Sequence, residues 1–365
     1  MESNCIIGLG SNLGQRISLL LEAMEAIEHQ VGAIRQLSQP YETEAWGFDA
    51  PPFINACIRV ETPLTSAEVL VALQTIESAF GRQRSSDEGY QSRTLDLDLL
   101  FFGAEILQTE TLQLPHPRIL QRRFVLDPLA ELIPDFEHPT RKQSIAALQN
   151  QCTDDTAITS LPFRAWMAPL FPADSYIALA GNIGSGKTSM TKRLAHDFGT
   201  LALYEQFAEN PHLPQFYKDP SAYALATERH FLSSRVQQLA AHANGALVSD
   251  FWLNKSLIFA ENSLQTKDFA LFSEMFKQQS QKVRLPDKVI YLHRPLEELK
   301  LHIQKRGRSY EQSISTSYLD TIQKGYKTAL DKTYPYPVHS IDASGKDYTH
   351  RPLLYIQWVN RLARL

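Results

Sequence analysis

The sequence predicts two domains of different fold class, an α+β domain with an antiparallel sheet and then an α/β domain with a parallel sheet. A chain of 365 residues is too long for one ordinary core and suits two domains. Three prolines lie within residues 161–175, directly before the apolar run YIALA, and they interrupt any helix or strand there. We therefore expect domains at residues 1–158 and 175–365, joined by a proline-rich linker at 159–174.

In the first half, segments with the pattern of strands alternate with segments that have the pattern of helices. Strands are predicted at residues 5–9, 36–41, 55–61 and 95–101, and helices at 14–31 and 66–80. The second helix is preceded by Thr65 and carries Glu68, the spacing of a capping box. These elements favour an antiparallel sheet with flanking helices.

In the second half, an apolar strand is followed by a glycine-rich loop and a helix. Further strands are predicted at residues 246–249 and 288–292, and most of the intervening sequence is helical in pattern. This alternation is typical of a parallel sheet covered by helices.

The composition of the chain argues against several classes of binding partner. The formal charge is −4 overall, with −9 in residues 1–150 and +5 in the remainder, so neither half is basic enough to indicate a nucleic-acid polymer. No window approaches the roughly 18 apolar residues of a membrane helix, and the first residues lack the pattern of a secretory signal. Three widely spaced cysteines predict neither a disulfide framework nor a zinc site. We expect a cytoplasmic protein whose partners are small molecules, with no membrane partner.

The segment RTLDLDLLFF, residues 93–102, places Asp96 and Asp98 in an apolar strand. Side chains alternate along a strand, so both carboxylates lie on one face and repel each other unless cations lie between them. Mg²⁺ bound by carboxylates and substrate phosphates is a common solution, and the spacing suits two metal ions. A solvent-facing edge strand, or neutralisation by arginines alone, would also explain the pair.

Arginines favour the metal and phosphate interpretation. Ten of the eleven cations in residues 1–150 are arginines, which bind planar anions with a fixed fork. Arg82, Arg84 and Arg93 lie near the aspartates in sequence, and these are too many cations for two acids unless an anion joins them.

Residues 5 to about 150 resemble the 6-hydroxymethyl-dihydropterin pyrophosphokinases. The resemblance lies in IIGLGSNLGQR, FINACIRVET, IESAFGRQR, SRTLDLDLLFFG and LPHPRILQRRFVLDPL, which occur in the family's order. It implies a ferredoxin-like fold and the transfer of pyrophosphate from ATP to a pterin alcohol, with release of AMP. It also implies that two Mg²⁺ are held by Asp96 and Asp98. The residues that hold ATP would be Arg82, Arg84, Arg93, His116 and Arg122, and Gln74 and Glu77 would lie near the nucleotide. Of these, Arg82 and Arg93 would also be catalytic. The pterin pocket would be formed by Thr43, Phe53, Asn55 and Phe124.

GNIGSGKT, residues 181–188, matches the Walker A spacing, with an apolar strand before it and a helical segment after it. Backbone N–H groups of such a loop surround phosphates, Lys187 reaches the outer phosphates, and Thr188 supplies an oxygen to one Mg²⁺. The second half is therefore expected to bind a nucleoside triphosphate. The residues of this loop and the helix start are Gly181, Asn182, Ile183, Gly184, Ser185, Gly186, Lys187, Thr188 and Ser189.

Nearly the whole second half resembles the deoxynucleoside kinases, through LALYEQFAENPHLPQFYKDP, FYKDPSAYALATERHFLSSR, VSDFWLNKSLIFAENSL and VIYLHRPLEELKLHIQKRGRSYEQSISTSYL. The resemblance implies that Glu205 is the base toward a sugar 5′-hydroxyl and that Arg306 and Arg308 are lid arginines. It places Glu228, Arg235, Asp250 and Glu311 at the acceptor, and it implies a homodimer formed through this half. Three positions depart from the family pattern: Gln206 replaces a proline, Glu228 replaces a glutamine, and Phe251 replaces an arginine.

Together these patterns predict a bifunctional transferase, with Mg-ATP as co-substrate in both halves. The alternative is a pterin pyrophosphokinase whose second half is a non-catalytic nucleotide-binding module for regulation or oligomerisation. The missing arginine at Phe251 favours the alternative, whereas Lys187, Glu205, Arg306 and Arg308 favour two activities.

Overall fold

The computed structural model describes residues 3–45, 50–81 and 93–365, and the chain divides into two compact units. The first unit comprises residues 1–168 with residues 347–364, and the second comprises residues 169–346 with Leu365. This division differs from the predicted domain limits because the last helix of the chain packs in the first unit.

The described residues of the first unit form a six-stranded antiparallel sheet with the order β5-β1-β4-β3-β8, in which β2 also pairs with β4. The sequence prediction of an antiparallel sheet with helices is confirmed. The strands, including a separate short pair β6 and β7, are β1 Ser3–Ser11, β2 Ala33–Leu37, β3 Tyr41–Thr43, β4 Phe53–Thr62, β5 Asp96–Phe102, β6 Leu107–Gln108, β7 Gln113–Leu114 and β8 Ile158–Ser160.

One predicted strand is divided in two. The sequence prediction of a single strand at residues 36–41 was wrong, since β2 ends at Leu37 and β3 begins at Tyr41. Pro40 lies between them and has no N–H to donate to a neighbouring strand. Both strands pair antiparallel with the long central strand β4, β2 opposite residues 58–61 and β3 opposite residues 53–55, so the chain continues along β4 after the break.

Helices cover the sheet of the first unit. The predicted capping box is present, because Thr65 Oγ1 accepts from Glu68 N at 3.3 Å and Glu68 Oε2 accepts from Thr65 N at 2.8 Å. Buried apolar side chains such as Leu20, Ile27 and Ile76 line the faces of these helices. The helices that precede the second unit in the chain are α1 Arg16–Gln30, α2 Ser66–Ala79, α3 Arg123–Leu132 and α4 Ile145–Asn150.

The second unit contains a five-stranded parallel sheet, as the sequence predicts, with the order β10-β11-β9-β12-β13. Its strands are β9 Tyr176–Ala180, β10 Leu201–Leu203, β11 Leu247–Ser249, β12 Lys288–His293 and β13 Val338–Asp342. Its helices are α5 Lys187–Phe198, α6 Leu213–Phe216, α7 Pro220–Ala241, α8 Lys255–Ser263, α9 Thr266–Ser280, α10 Leu296–Arg306 and α11 Thr316–Leu330. The central strand β9 is buried along its whole length, as expected of a strand covered on both faces.

The last helix, α12 (Pro352–Arg364), packs against α1 and β2 in the first unit. Its apolar face, including Ile356 and Trp358, is buried, and Arg351 donates to Glu28 at 2.7 Å. Ala168 N donates to Asn360 Oδ1 at 2.7 Å. The first unit therefore combines residues from both ends of the chain.

Among the helices of the described residues, none is both long enough and apolar enough to cross a membrane.

Candidate active sites

The two aspartates that the sequence places on one strand face lie on β5, at the edge of the first sheet. In the pairing with β1, Asp96 is opposite Gly10 and Asp98 is opposite Gly8. The intervening Leu97 is buried while both aspartates are partly exposed, so the predicted alternation of faces is observed.

Two arginines and a histidine lie beside this carboxylate pair. Arg93 Nη1 lies 2.7 Å from Asp96 Oδ1, Arg122 Nη1 lies 3.6 Å from Asp98 Oδ2, and His116 Nε2 lies 4.0 Å from Asp98 Oδ1. Burial and the neighbouring charge of Asp96 raise the pKa of Asp98, against the attraction of His116 and Arg122. Burial lowers the pKa of His116. Asp96, Asp98, Arg93, His116 and Arg122 are thus brought together at one site.

The chemistry of this donor set fits Mg²⁺. Carboxylate oxygens are ligands that this ion prefers, and a divalent cation between Asp96 and Asp98 would remove the repulsion that raises the pKa of Asp98. Within the described part of the chain, no cluster of three or more histidine, cysteine, aspartate or glutamate side chains could hold a metal. Mg²⁺ bound by one or two carboxylates commonly takes its other ligands from substrate phosphates and water.

Gly10 lies close both to Asp96 and to residues of the predicted pterin pocket. A Cβ atom added at Gly10 would lie 3.1 Å from Asn55 Oδ1, 3.7 Å from Asp96 Cβ and 3.8 Å from Phe53 Cδ1. Glycine therefore leaves room for an amide, a carboxylate and an aromatic ring to approach one another. Asn55 Nδ2 donates to Thr43 Oγ1 at 2.8 Å, and both residues are buried.

Phe124 and Arg122 lie at the start of α3, where the guanidinium of Arg122 is 5.4 Å from the centre of the Phe124 ring. Because Arg122 also faces Asp98, this contact places the second predicted pterin aromatic residue beside the carboxylates. The structure thus brings predicted pterin residues and predicted phosphate residues to one end of the first sheet.

Of the other four predicted nucleotide residues, the structure describes two, Glu77 and Gln74. Glu77 is buried on α2, and its Oε1 accepts from Leu97 N at 2.9 Å, so it fixes the backbone between the two aspartates. Gln74 lies one turn earlier on the same helix and is half-buried. Arg82 and Arg84 lie outside the described residues.

Asn12 is a positioning residue that the sequence reasoning missed. Its Oδ1 accepts from Arg93 N at 2.6 Å, and its own N–H donates to Arg93 O at 3.1 Å, so it holds the segment that carries Arg93. The available signal is its place in GLGSNLG, between the first predicted strand and the first predicted helix.

In the second unit, the Walker A segment forms the loop between β9 and α5, and α5 begins at Lys187. A Cβ atom at Gly184, where φ is +82°, would lie 2.7 Å from the carbonyl oxygen of Leu299, so glycine is required there. Lys187 Nζ donates to the carbonyl oxygens of Gly181 at 2.9 Å and Asn182 at 2.8 Å. Burial and the nearby cation Lys255 lower the pKa of Lys187 to about 7. An ammonium in this position would gain from the charge of a bound phosphate.

Asp250 joins the phosphate loop to the candidate base. Thr188 Oγ1 donates to Asp250 Oδ2 at 2.6 Å, and Glu205 N donates to Asp250 Oδ1 at 2.7 Å. Asp250 directly follows β11, and Glu205 follows β10, so the two acids meet at the carboxyl ends of adjacent parallel strands. This is the edge of an open α/β sheet at which ligands bind.

Glu205 is buried and held by two cations. Its Oε1 accepts from Nε of Arg235 at 2.9 Å and also from Nη2 of Arg235, and its Oε2 accepts from Nζ of Lys255 at 2.6 Å. Burial alone would raise the pKa of Glu205, but Arg235 and Lys255 outweigh burial and lower the pKa to about 2. The carboxylate is therefore ionised and fixed in orientation.

Lys255 is a site residue that the sequence reasoning missed. Phe251, at the position of the expected arginine, is fully buried in the apolar core of the second unit. Lys255 lies four residues later at the start of α8 and supplies a cation to Glu205. The lysine in SDFWLNK was visible in the sequence, but its contact depends on how the chain turns after β11.

One pocket brings together three of the four predicted acceptor residues, and Asp250 is not among its lining residues. It is lined by Glu205, Glu228, Arg235, Lys255 and Glu311, together with aromatic side chains such as Phe207 and Tyr318. Ile183 of the phosphate loop also lines it, so the acceptor pocket and the nucleotide loop adjoin. The pocket therefore has apolar walls and several charged groups, as in sites for small molecules.

The two predicted lid arginines both pair with Glu311. Arg306 Nη2 and Arg308 Nη1 both donate to the buried Glu311, the second at 3.2 Å. The guanidinium of Arg308 also lies 4.8 Å from the centre of the Phe207 ring. Both arginines are thus held beside the pocket by a residue that lines it.

Two protein families match separate parts of the chain. Residues 6–134 match the family described as 7,8-dihydro-6-hydroxymethylpterin-pyrophosphokinase, and residues 177–359 match the family described as deoxynucleoside kinase. Residues Glu205 through Glu311 of the acceptor pocket lie within the second match, and Asp96 and Asp98 lie within the first.

Several relatives resemble the first half. A 2-amino-4-hydroxy-6-hydroxymethyldihydropteridine pyrophosphokinase of Porphyromonas gingivalis is 42% identical over 136 residues, which are 36% of this chain and 92% of that protein. The enzyme of the same name from Bacillus subtilis is 39% identical over 139 residues, which are 38% of this chain and 82% of that protein. The folic acid synthesis protein fol1 of Pneumocystis carinii is 40% identical over 158 residues, 43% of this chain, and the match spans only 21% of that protein.

Among solved structures, a deoxyadenosine kinase from M. mycoides with bound dCTP is 26% identical and covers 51% of this chain and 99% of its own, with a TM-score of 0.45.

Proposed function

This chain belongs through its first half to the 7,8-dihydro-6-hydroxymethylpterin-pyrophosphokinase family and through its second half to the deoxynucleoside kinase family, and from that premise we propose that it is a bifunctional transferase. In the first activity, a pyrophosphoryl group passes from ATP to 6-hydroxymethyl-7,8-dihydropterin, and AMP is released. In the second activity, ATP phosphorylates the 5′-hydroxyl of a deoxynucleoside. The two activities have separate acceptors and separate sites.

The first activity rests on the convergence around Gly10, where Asn55 and Phe53 of the pterin pocket approach Asp96. Asp96 and Asp98 would hold two Mg²⁺, which when bound would offset charge on the triphosphate. Arg93, Arg122 and His116 bind phosphate oxygens beside them, and with Arg82 and Arg84 they orient the ATP. Phe53 and Phe124 stack on the flat pterin ring, and Asn55 donates to and accepts from its edge.

The second activity rests on Glu205, an ionised carboxylate fixed by Arg235 and Lys255 beside the phosphate loop. Glu205 accepts a hydrogen bond from the 5′-hydroxyl and takes its proton as the phosphoryl group is transferred. Lys187 and the lid arginines Arg306 and Arg308 neutralise charge on the transferred group, which is the main requirement of such reactions. Thr188 would contribute to a single Mg²⁺, and Glu311 would contact the sugar.

The alternative, a non-catalytic second half, was favoured by Phe251 at the place of an arginine. Lys255 weakens that alternative, because it gives Glu205 the cation that Phe251 cannot supply. The test is a screen of the four deoxynucleosides with Mg-ATP, comparing the wild type with Glu205→Gln. A deoxynucleoside monophosphate that depends on Glu205 supports two activities. Absence of any such product, together with a change of pterin turnover in Lys187→Ala, would support the regulatory alternative.

We also propose that the protein forms a homodimer through its second half and that it is located in the cytoplasm. Family membership of the second half supports the dimer, and the free thiols of Cys5, Cys57 and Cys152 are those of a reducing compartment. Light scattering on wild-type protein would measure the molar mass directly, and the mass of a single chain would contradict the dimer.

A further inference from the structure

The side chain of Glu228, on α7, is 2% exposed and lines the acceptor pocket together with Glu205. Its Oε2 atom is fully buried and receives no hydrogen bond from the residues that the structure describes. A buried polar atom of this kind is costly unless something binds it, so an unpartnered carboxyl in a pocket indicates a ligand that completes it.

The cations that line the pocket with Glu228 already have other partners. Arg235 directs Nε and Nη2 to Glu205 and Nη1 to Ser256, and Lys255 directs Nζ to Glu205. Glu228 is therefore buried beside these cations without receiving their hydrogen bonds. Burial favours the neutral acid, because the carboxylate loses water and gains no donor in exchange.

Burial raises the pKa of Glu228 to about 7, assisted by the charge of Glu205 and opposed by Arg235 and Lys255. Of the other groups that face the pocket, Tyr318 on α11 is neutral at working pH because burial raises its pKa well above 10, and Tyr217 lies after α6. Glu311 is paired with Arg306 and Arg308. A small change of pH near neutrality therefore changes the charge of Glu228.

The two forms of Glu228 offer different hydrogen bonds. The neutral acid has one O–H donor and one carbonyl acceptor side by side, whereas the carboxylate only accepts. Adenine presents an amino group beside the unprotonated N1, and cytosine presents one beside N3, so each matches a donor and acceptor pair. Guanine presents N1–H beside an amino group, which is two donors and matches a carboxylate.

We propose that Glu228 reads the nucleobase as a neutral acid. The second half then takes deoxynucleosides whose base carries an amino group beside a ring nitrogen acceptor, and ionisation of Glu228 shifts preference toward guanine. This inference rests on the proposed deoxynucleoside kinase activity of the same site. It also gives a physical reason for an acid at the position where the family resemblance implies an amide, since the neutral acid and the amide share the same donor and acceptor pattern.

The test measures kcat/KM for deoxyadenosine, deoxycytidine and deoxyguanosine with Mg-ATP between pH 6 and pH 8.5. Ratios between bases are compared because Lys187 also has a pKa of about 7, and its titration affects all substrates equally. In the wild type, the ratio of deoxyadenosine or deoxycytidine to deoxyguanosine should fall by about 300-fold over this range, because the neutral fraction of a group that titrates near pH 7 falls by about 30-fold while its ionised fraction rises by about tenfold.

Two variants separate recognition from a structural effect. Glu228→Gln keeps the size and the donor and acceptor pair at every pH, so it should retain the adenine and cytosine preference and remove the pH dependence of the ratio. Glu209→Gln removes an exposed acid outside the pocket and should keep the wild-type profile. Thermal unfolding checks that the second unit of each variant is folded, and AMP formation from pterin and ATP checks that the first activity is retained.

A ratio that does not change with pH in the wild type, or one that changes equally in Glu228→Gln, would overturn the inference while leaving the kinase activity in place. Preference for deoxyguanosine at pH 6 would also overturn it. If no deoxynucleoside is phosphorylated at any pH, both this inference and the proposed second activity fail.

Discussion

Nζ of Lys255 lies 2.6 Å from Oε2 of Glu205, and both side chains are buried. Lys255 is the first residue of α8, whereas the sequence resemblance places the cation four residues earlier, at Phe251. The chain turns between β11 and α8 so that Phe251 enters the core and Lys255 faces the pocket. The charge pattern of the site is retained although one of its cations comes from another position.

Replacing Lys255 by methionine should impair the second activity and leave the first intact. Removing one partner of a buried ion pair leaves an undercompensated charge, which costs about 3–5 kcal/mol in unfolding free energy. We expect kcat for the deoxynucleoside to fall by about 100-fold, since a fixed charge beside the reacting groups is lost. Steady-state kinetics and thermal unfolding measure both effects. Lys255→Arg should stay within about tenfold of the wild type, and a wild-type rate in Lys255→Met would contradict the assignment.

Restoring an arginine at Phe251 should not restore the family pattern. Phe251 is fully buried among apolar side chains that include Trp252 and Tyr176. A guanidinium there would be desolvated without a carboxylate partner, because Glu205 is already engaged, so we expect Phe251→Arg to lower the unfolding free energy by several kcal/mol, roughly 3–5. Chemical denaturation measures the loss, and Phe251→Leu serves as the apolar control. An arginine variant as stable and active as the leucine variant would show that the position opens toward the site.

Adding a methyl group at Gly10 should weaken pterin binding. The new Cβ would lie 3.1 Å from Asn55 Oδ1, so the amide that we propose as the contact to the pterin edge must move. We expect the KM for the pterin to rise by about tenfold, equivalent to about 1.4 kcal/mol. The matched control is Gly8→Ala, whose Cβ would meet the flexible side chain of Leu100 at 3.4 Å. Equal KM values in the two variants would show that Asn55 does not contact the pterin.

The C-terminal helix should stabilise the first unit. Ile356 on α12 is fully buried, and its truncation to alanine is expected to cost about 2–5 kcal/mol. Hydrogen exchange should rise in α1 and β2, against which α12 packs. Arg361→Ala, at an exposed position of the same helix, provides the control and should leave exchange unchanged. Faster exchange confined to the second unit in Ile356→Ala would contradict this packing.

Much of the fold could be predicted because local signals agreed. The alternation of Asp96 and Asp98 with buried leucines predicts that both carboxylates lie on one face of β5. The capping box at Thr65 predicts where α2 begins. The packing of α12 could not be read from the sequence, since its apolar face predicts burial but not the surface that buries it.

Prediction of the sites shows the same limit. Motif spacing identified Lys187 and Thr188, whose positions follow from the loop between one strand and one helix. Asn12 and Lys255 were missed because their roles arise from contacts between segments that are distant in sequence, 81 residues for Asn12 with Arg93 and 50 residues for Lys255 with Glu205. Such contacts depend on strand order and register, which a single sequence does not specify.

The most direct test of two separate activities is to measure AMP and ADP from one reaction that contains Mg-ATP, the pterin alcohol and a mixture of deoxynucleosides. The wild type should form both products. Asp98→Asn should abolish AMP and keep ADP, because its carboxylate lies in the first site, and Glu205→Gln should abolish ADP and keep AMP. Formation of AMP alone by the wild type, or loss of both products in either variant, would contradict the account.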